Sequence, residues 1–175
     1  MTPAVSASSL RVRDISDVHE LGTLRPLWLD LHHHHRVVGP CQLLVDDDAA
    51  SWERRRAVYE EWMRAGGAIV LIADLPPGET VGYLVARVCE GPDDTFAVAD
   101  RYAELYSLCV APARRGQGIG TALLDALDAR LDALGVRDLT VAVMVGNDDA
   151  LRLYRARGLT PAEVTLWRLG GSKAG

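Results

Sequence analysis

The sequence is poor in cysteine, in lysine and in long apolar runs. Its three cysteines, Cys41, Cys89 and Cys109, are odd in number, far apart and in no CxxC pair. Neither a disulfide framework nor a zinc cage is expected from them, and no other metal site is expected. No stretch approaches the roughly 18 consecutive apolar residues that a membrane-spanning helix needs. The first ten residues, MTPAVSASSL, have no basic segment leading into an apolar one, so no secretory signal is read there and a cytoplasmic location is expected. Clustered positive charge is missing too. The net charge of −5 speaks against nucleic acid or a membrane surface as the main partner and suits a basic small molecule better. A single lysine, Lys173, stands against eighteen arginines, a bias we read as genomic composition.

What is present is the composition of a globular protein. Of the 175 residues 49% are hydrophobic and 25% charged, enough for one domain with a substantial core. We place that domain at residues 9–170, with 1–8 and 171–175 as disordered tails. Alternation predicts strands over 10–15, 68–75, 80–89, 102–110, 138–145 and 162–169. Helical spacing predicts helices over 24–38, from an N-cap at Asp48 to the Gly66–Gly67 stop, over 119–134 and over 148–157. The third of these carries Ile119, Leu123, Leu124, Leu127, Leu131 and Leu134 on one face. Antiparallel pairing first and βαβ units later make this an α/β protein with a mixed sheet and helices packed on it.

Between the strand at 102–110 and the helix at 119–134 lies ARRGQGIGTALL, residues 113–124. A glycine-rich turn opening a helix is suited to phosphate, because glycine lets the backbone approach closely and the first N–H groups point at the ligand. It is not a P-loop, since Gly120 is followed by Thr121-Ala122 rather than Lys-Ser/Thr. Nor is it the dinucleotide fingerprint, because Gly116, Gly118 and Gly120 alternate and the third glycine comes too early. Arg115 followed by Gly118 and Gly120 leaves a pyrophosphate cradle or an ordinary glycine turn.

At this point the sequence resembles the GNAT superfamily of acyl-CoA-dependent N-acetyltransferases. The resemblance rests on LCVAPARRGQGIGTALLDAL (108–127) and on NDDALRLYRARGL (147–159). It implies the GNAT fold, a mostly antiparallel splayed sheet flanked by helices, with acetyl-CoA as co-substrate. It further implies that Arg115, Gly116, Gln117, Gly118, Ile119, Gly120 and Thr121 bind the coenzyme's pyrophosphate. Leu108, Cys109 and Val110 would run along the pantetheine arm, where a backbone N–H would polarise the thioester carbonyl. Asn147 would contact the coenzyme, and Tyr154 would protonate the leaving thiol. Many relatives are homodimers, and the same association is expected here.

The acceptor in such a reaction is a primary amine. With a pKa of about 10.4 it is only about 0.04% neutral at pH 7, so reaching the nucleophilic form costs roughly 4.6 kcal/mol. Glu104, within YAELYSL and eleven residues before Arg115, stands at the spacing for which the resemblance implies a strand glutamate as base, and glutamate is otherwise depleted in strands. It is expected to share a face with Tyr102, Tyr106, Leu108 and Val110; its plainer readings are a solvated glutamate near a strand end, or one paired with Arg101 or Arg114. Cys109 reads as a small strand residue rather than a nucleophile. The four histidines His32 to His35 sit about 100° apart on a helix and cannot share a face; only His32 and His35 could converge on a metal. His35 and Arg36 are candidates for the acceptor pocket, and Asp46 to Asp48 for a cation-attracting cluster. The reading is acetyl transfer to a small-molecule amine by direct attack. The alternatives are a non-catalytic acyl-CoA-binding regulator and an enzyme acting on protein or peptide amines.

Overall fold

A computed structural model describes residues 10–40, 43–44, 47–91 and 97–168. The expected tails, Cys41 and Asp46 lie outside them. In chain order the elements are β1 (Arg11–Asp14), a 3-10 turn (Val18–Leu24), α1 (Arg25–Val38), α2 (Asp48–Arg64), β2 (Ala68–Leu75), β3 (Glu79–Glu90), β4 (Arg101–Val110), α3 (Ile119–Leu134), β5 (Asp138–Val141) and α4 (Asp148–Ala156). The strands form one sheet in the order β1-β2-β3-β4-β5. The first four pair antiparallel and β4 pairs with β5 in parallel, across the α3 connection.

Two apolar cores, one on each face of the sheet, follow from strand alternation. Ile69, Leu71, Ala73, Leu84, Ala86, Ala103 and Leu105 pack on Ile119, Leu123, Leu127 and Leu131 of α3. Val70, Ile72, Tyr83, Val85 and Cys109 pack on Leu27, Trp28, Trp52 and Tyr59 of α1 and α2. Gly82 permits the closest approach of α3, because a Cβ there would lie 3.0 Å from Ile119 Cγ2 and 3.2 Å from Cys109 O.

One irregularity in β4 decides the site. Val85 faces Ser107 and Ala86 faces Leu105, so Tyr106 is an extra residue with no partner on β3. Such a bulge inverts the alternation. Ala103 and Leu105 join the α3 core, whereas Cys109 joins the α1/α2 core and Leu108 and Val110 turn towards α3. The expected common face for Glu104, Leu108 and Val110 is therefore corrected: the bulge puts Glu104 on the opposite face from the other two. The parallel β4/β5 ladder ends at the same point, with Leu105 against Val141. Beyond it the strands part.

Four further expectations are corrected. The fifth strand stops at Val141 rather than residue 145, since the chain there leaves β4. Residues 162–168 form no strand; Val164, Leu166 and Trp167 are exposed, and alternation without a neighbouring strand provides no ladder. Residue 169 lies outside the described residues. Leu134 is 47% exposed, because it falls on the last residue of α3, past the sheet. The N-cap of α2 is Asp47, whose carboxylate accepts from Ala50 N at 3.0 Å, and Asp48 is the first helical residue.

Candidate active site

The glycine turn is shaped by its backbone. Gly116 and Gly118 take φ of +73° and +82°, which a residue bearing a Cβ adopts only with strain. A Cβ at either position would meet nothing within 4 Å, so these glycines serve conformation and leave open space over the turn. Gly118 is the N-cap of α3, and the first bond of the helical ladder runs from Ala122 N to Gly118 O at 2.9 Å. The N–H groups of Ile119, Gly120 and Thr121 precede that ladder and point out of the helix's positive end. Exposed Arg115 lies beside them, its Nε donating to Val110 O at 3.3 Å. Gln117 Nε2 donates to Ala113 O at 3.4 Å and braces the turn. Arg114 is engaged by Glu79 at 3.0 Å.

Where β4 and β5 part, a cleft of roughly 390 Å³, open mouth included, runs along the sheet. Half the peptide groups of β4 beyond Leu105 turn away from β3 towards this gap, where no β5 residue pairs with them. The lining comes from β4 (Leu105 to Leu108), from the chain leaving β5 (Val141 to Met144), from α1 (Leu31, His35) and from α4 with its cap (Asn147, Ala150, Tyr154). Of the residues expected from the sequence, Leu108, Asn147, Tyr154 and His35 line it. Cys109, Val110, Glu104, Arg36 and the turn residues 115–121 do not.

Each has a physical setting. Tyr154 is buried, and burial pushes its phenol up to about 12, so it keeps its proton at neutral pH. Asn147 caps α4, its Oδ1 accepting from Ala150 N at 3.3 Å. Cys109 turns from the cleft and gives its S–H to Leu27 O at 3.1 Å. Burial pushes that thiol up to about 12, so no thiolate forms and it is a strand residue. His35 is held down to about 4, first by burial and then by His34, His32 and Arg55; it is a neutral imidazole at pH 7.

Glu104 pairs neither with Arg101 nor with Arg114. Its Oε2 accepts from Arg87 Nε at 2.7 Å and Nη2 at 2.6 Å, directly across the β3–β4 ladder. Arg36 Nη2 reaches Asp48 Oδ1 at 2.7 Å, and His33 Nε2 lies 2.7 Å from Asp48 Oδ2. Asp48 thus fastens α1 to α2. His32 is buried and stacks on Trp28 at 4.9 Å. Among the described residues no group of three or more potential ligands could hold a metal ion, and no helix is long and apolar enough to cross a membrane.

Sequence reading missed Ser107 and its support. Its Oγ lies 2.6 Å from Tyr59 OH, both groups buried, and Tyr59 stands 48 residues earlier on α2, beyond the reach of any spacing rule. Arg55 was missed as well. It lies one turn before Tyr59, where the i to i+4 relation was legible, with its Cζ 4.5 Å from the Tyr106 ring centroid.

Residues 37–159 match the acetyltransferase (GNAT) family. The chain belongs to that family. Mycothiol acetyltransferase from Sanguibacter keddieii is 36% identical over 107 residues, which cover 61% of this chain and 32% of that protein. The chain therefore spans about a third of the length of that curated relative. A GCN5-related N-acetyltransferase from Ralstonia eutropha superposes with a TM-score of 0.74 at 17% identity, covering 93% of this chain and 99% of the other. An aminoglycoside N-acetyltransferase solved with CoA gives 0.68 at 20% identity, covering 93% and 95%. At such identities the likeness is one of fold.

The residues of this GNAT-family chain fit acetyl-CoA, the co-substrate of the family. Open space over Gly116 and Gly118, ladder-free N–H groups at the start of α3 and the exposed Arg115 suit a pyrophosphate. The open peptide edge of β4 suits an amide-bearing arm, and the protonated Tyr154 suits a leaving thiolate.

Proposed function

We propose that the protein transfers acetyl from acetyl-CoA to the primary amine of a small-molecule acceptor by direct attack. The observation that carries this reading is the cleft opened where β4 and β5 part, with Leu108, Asn147 and Tyr154 in its lining beside the turn that starts α3. Arg115 and the N–H groups of Ile119, Gly120 and Thr121 hold the pyrophosphate, with Gly116, Gly118 and Gln117 fixing the turn. The β4 edge from Leu108 to Val110 flanks the pantetheine arm, the part of Cys109 and Val110 being their peptide groups. A peptide N–H on that edge polarises the thioester carbonyl. Asn147 orients the arm. Tyr154 gives its proton to the thiolate as it leaves.

Glu104 takes the ammonium proton through water. It stands two residues before Tyr106, outside the cleft lining. No enzyme-bound acyl group is needed, because the thioester is already activated. A relative named for mycothiol and a fold neighbour named for aminoglycosides both support a small acceptor.

The test is thermal unfolding with acetyl-CoA, CoA, NAD and ATP, each at about a hundred times a plausible dissociation constant. Binding at that excess stabilises by about 2.7 kcal/mol and raises the midpoint by about 5–10 °C for a domain of this size. A rise with both CoA species alone, followed by thiol release in the presence of amines, is the expected result. A rise without thiol release across a broad amine panel would make the protein an acyl-CoA-binding regulator, and no rise at all would remove the reading.

A further inference from the structure

The acceptor side of the cleft is not as acidic as the protein's overall charge suggests. None of the lining side chains is a carboxylate. The cation beside them is Arg55, in the third turn of α2. Its guanidinium lies 4.5 Å from the ring centroid of Tyr106 and 5.8 Å from that of Tyr59. Tyr106 lines the cleft and is 38% exposed, so the guanidinium, itself outside the lining, lies one ring away from the space an acceptor would enter.

The carboxylates around it are committed elsewhere. Glu60 bridges Arg56 and Arg64, Glu104 holds Arg87, and Asp48 holds Arg36 and His33. Among the described residues no carboxylate pairs with Arg55. The neutrality of His35, to which Arg55 contributes after burial and the neighbouring imidazoles, agrees with a positive field at this end. A polycationic amine would meet repulsion there, while an anion would find a guanidinium that hydrogen-bonds to Tyr59 but that no carboxylate neutralises.

We propose that Arg55 anchors the acceptor, and that the acceptor is an amine carrying a carboxylate, as an amino acid does. This rests on the cleft being the acetyl-transfer site. A planar guanidinium presents paired N–H donors that match one carboxylate. A phosphate monoester, at nearly two negative charges, would call for more than one such cation. The aromatic ring under the guanidinium holds it flat and limits the rotamer freedom lost on binding. Arg55 acts on specificity and takes no part in bond making.

The experiment is thiol-release kinetics with matched acceptor series: several amino acids, their α-carboxamides and their decarboxylated amines. The acid is expected to exceed its amide and its decarboxylated amine in kcat/KM by roughly 10- to 100-fold, the range of a charge-assisted pair. Arg55→Gln should remove that advantage through KM, leaving kcat within about threefold and the amide unchanged. Arg55→Lys should restore part of it, which a purely structural role would not produce. Acetyl-CoA-induced stabilisation is measured on every variant. If it persists while amides or polyamines are preferred, or while no carboxylate-bearing amine turns over, the anchoring proposal is overturned and the acetyl-CoA reading stands. If acetyl-CoA fails to stabilise the wild-type protein, the underlying reading fails first.

Discussion

Tyr154 and Glu104, the proposed acid and base, stand in opposite settings. The phenol sits in an apolar lining that keeps it protonated, whereas the carboxylate is held by a guanidinium across the sheet. Tyr154→Phe is expected to lower kcat about 10- to 100-fold while leaving acetyl-CoA binding intact, because only the leaving thiolate loses its proton donor. Glu104→Gln is expected to lower kcat about 100-fold near pH 7. Activity should recover as pH rises towards 9–10, where the amine loses its proton unaided. Full activity of the Gln variant at pH 7 would leave Glu104 as nothing more than the partner of Arg87. Tyr154, Asn147 and the glycine turn were legible because each follows from a local motif. Ser107 and the Arg87–Glu104 pair were not, since both depend on which residues tertiary packing or sheet register brings opposite one another.

Among the elements, the helices followed their apolar spacing closely, apart from Leu134 and a one-residue shift of the α2 cap. Strands were harder. Alternation describes a strand's faces but says nothing of whether a partner exists, which is why 162–168 carries the pattern without the ladder. It also cannot reveal an inserted residue, and so the bulge at Tyr106 was invisible. A second element-level device is the contact between the end of α1 and the start of α4. Gly146 has φ +91°, and a Cβ there would lie 2.3 Å from Val38 O. Gly146→Ala combines a disfavoured backbone with a backbone clash and is expected to destabilise by about 2 kcal/mol or more. That corresponds to a fall of about 4–8 °C in Tm, with the cleft lining loosened at Asn147. An unchanged Tm would mean that α1 does not seat against this loop.

At the scale of the whole molecule, a chain with a net charge of −5 half-buries His35 at one end of the cleft, within the influence of Arg55. The pH dependence of stability reports first that burial and then the cationic neighbours. His35 ordinarily titrates near 6.5 but is held to about 4 in the fold. Between these values the unfolded chain binds a proton that the native state does not, so stability is present above pH 6.5 and is lost as pH falls through the window. The full shift corresponds to about 3 kcal/mol, and roughly 2 once the imidazole's partial exposure is allowed for. Urea unfolding at pH 7 and pH 4.5 should show a loss for the wild type that exceeds the loss for His35→Asn by about that amount. Equal losses would place the imidazole in solvent.

The bulge in β4 gives the molecule a dependence on length. At Tyr106 the strand is one residue longer than its partner requires, and that surplus, not the identity of any side chain, turns Ser107 and Cys109 to one face and Leu108 and Val110 to the other. Exchanging residues there keeps the count. Removing Tyr106 would bring β4 back into step with β3 and leave Leu108 opposite Leu84, still on the face away from Glu104; what would go is the local bend of the bulge and the Tyr106 ring beside the cleft.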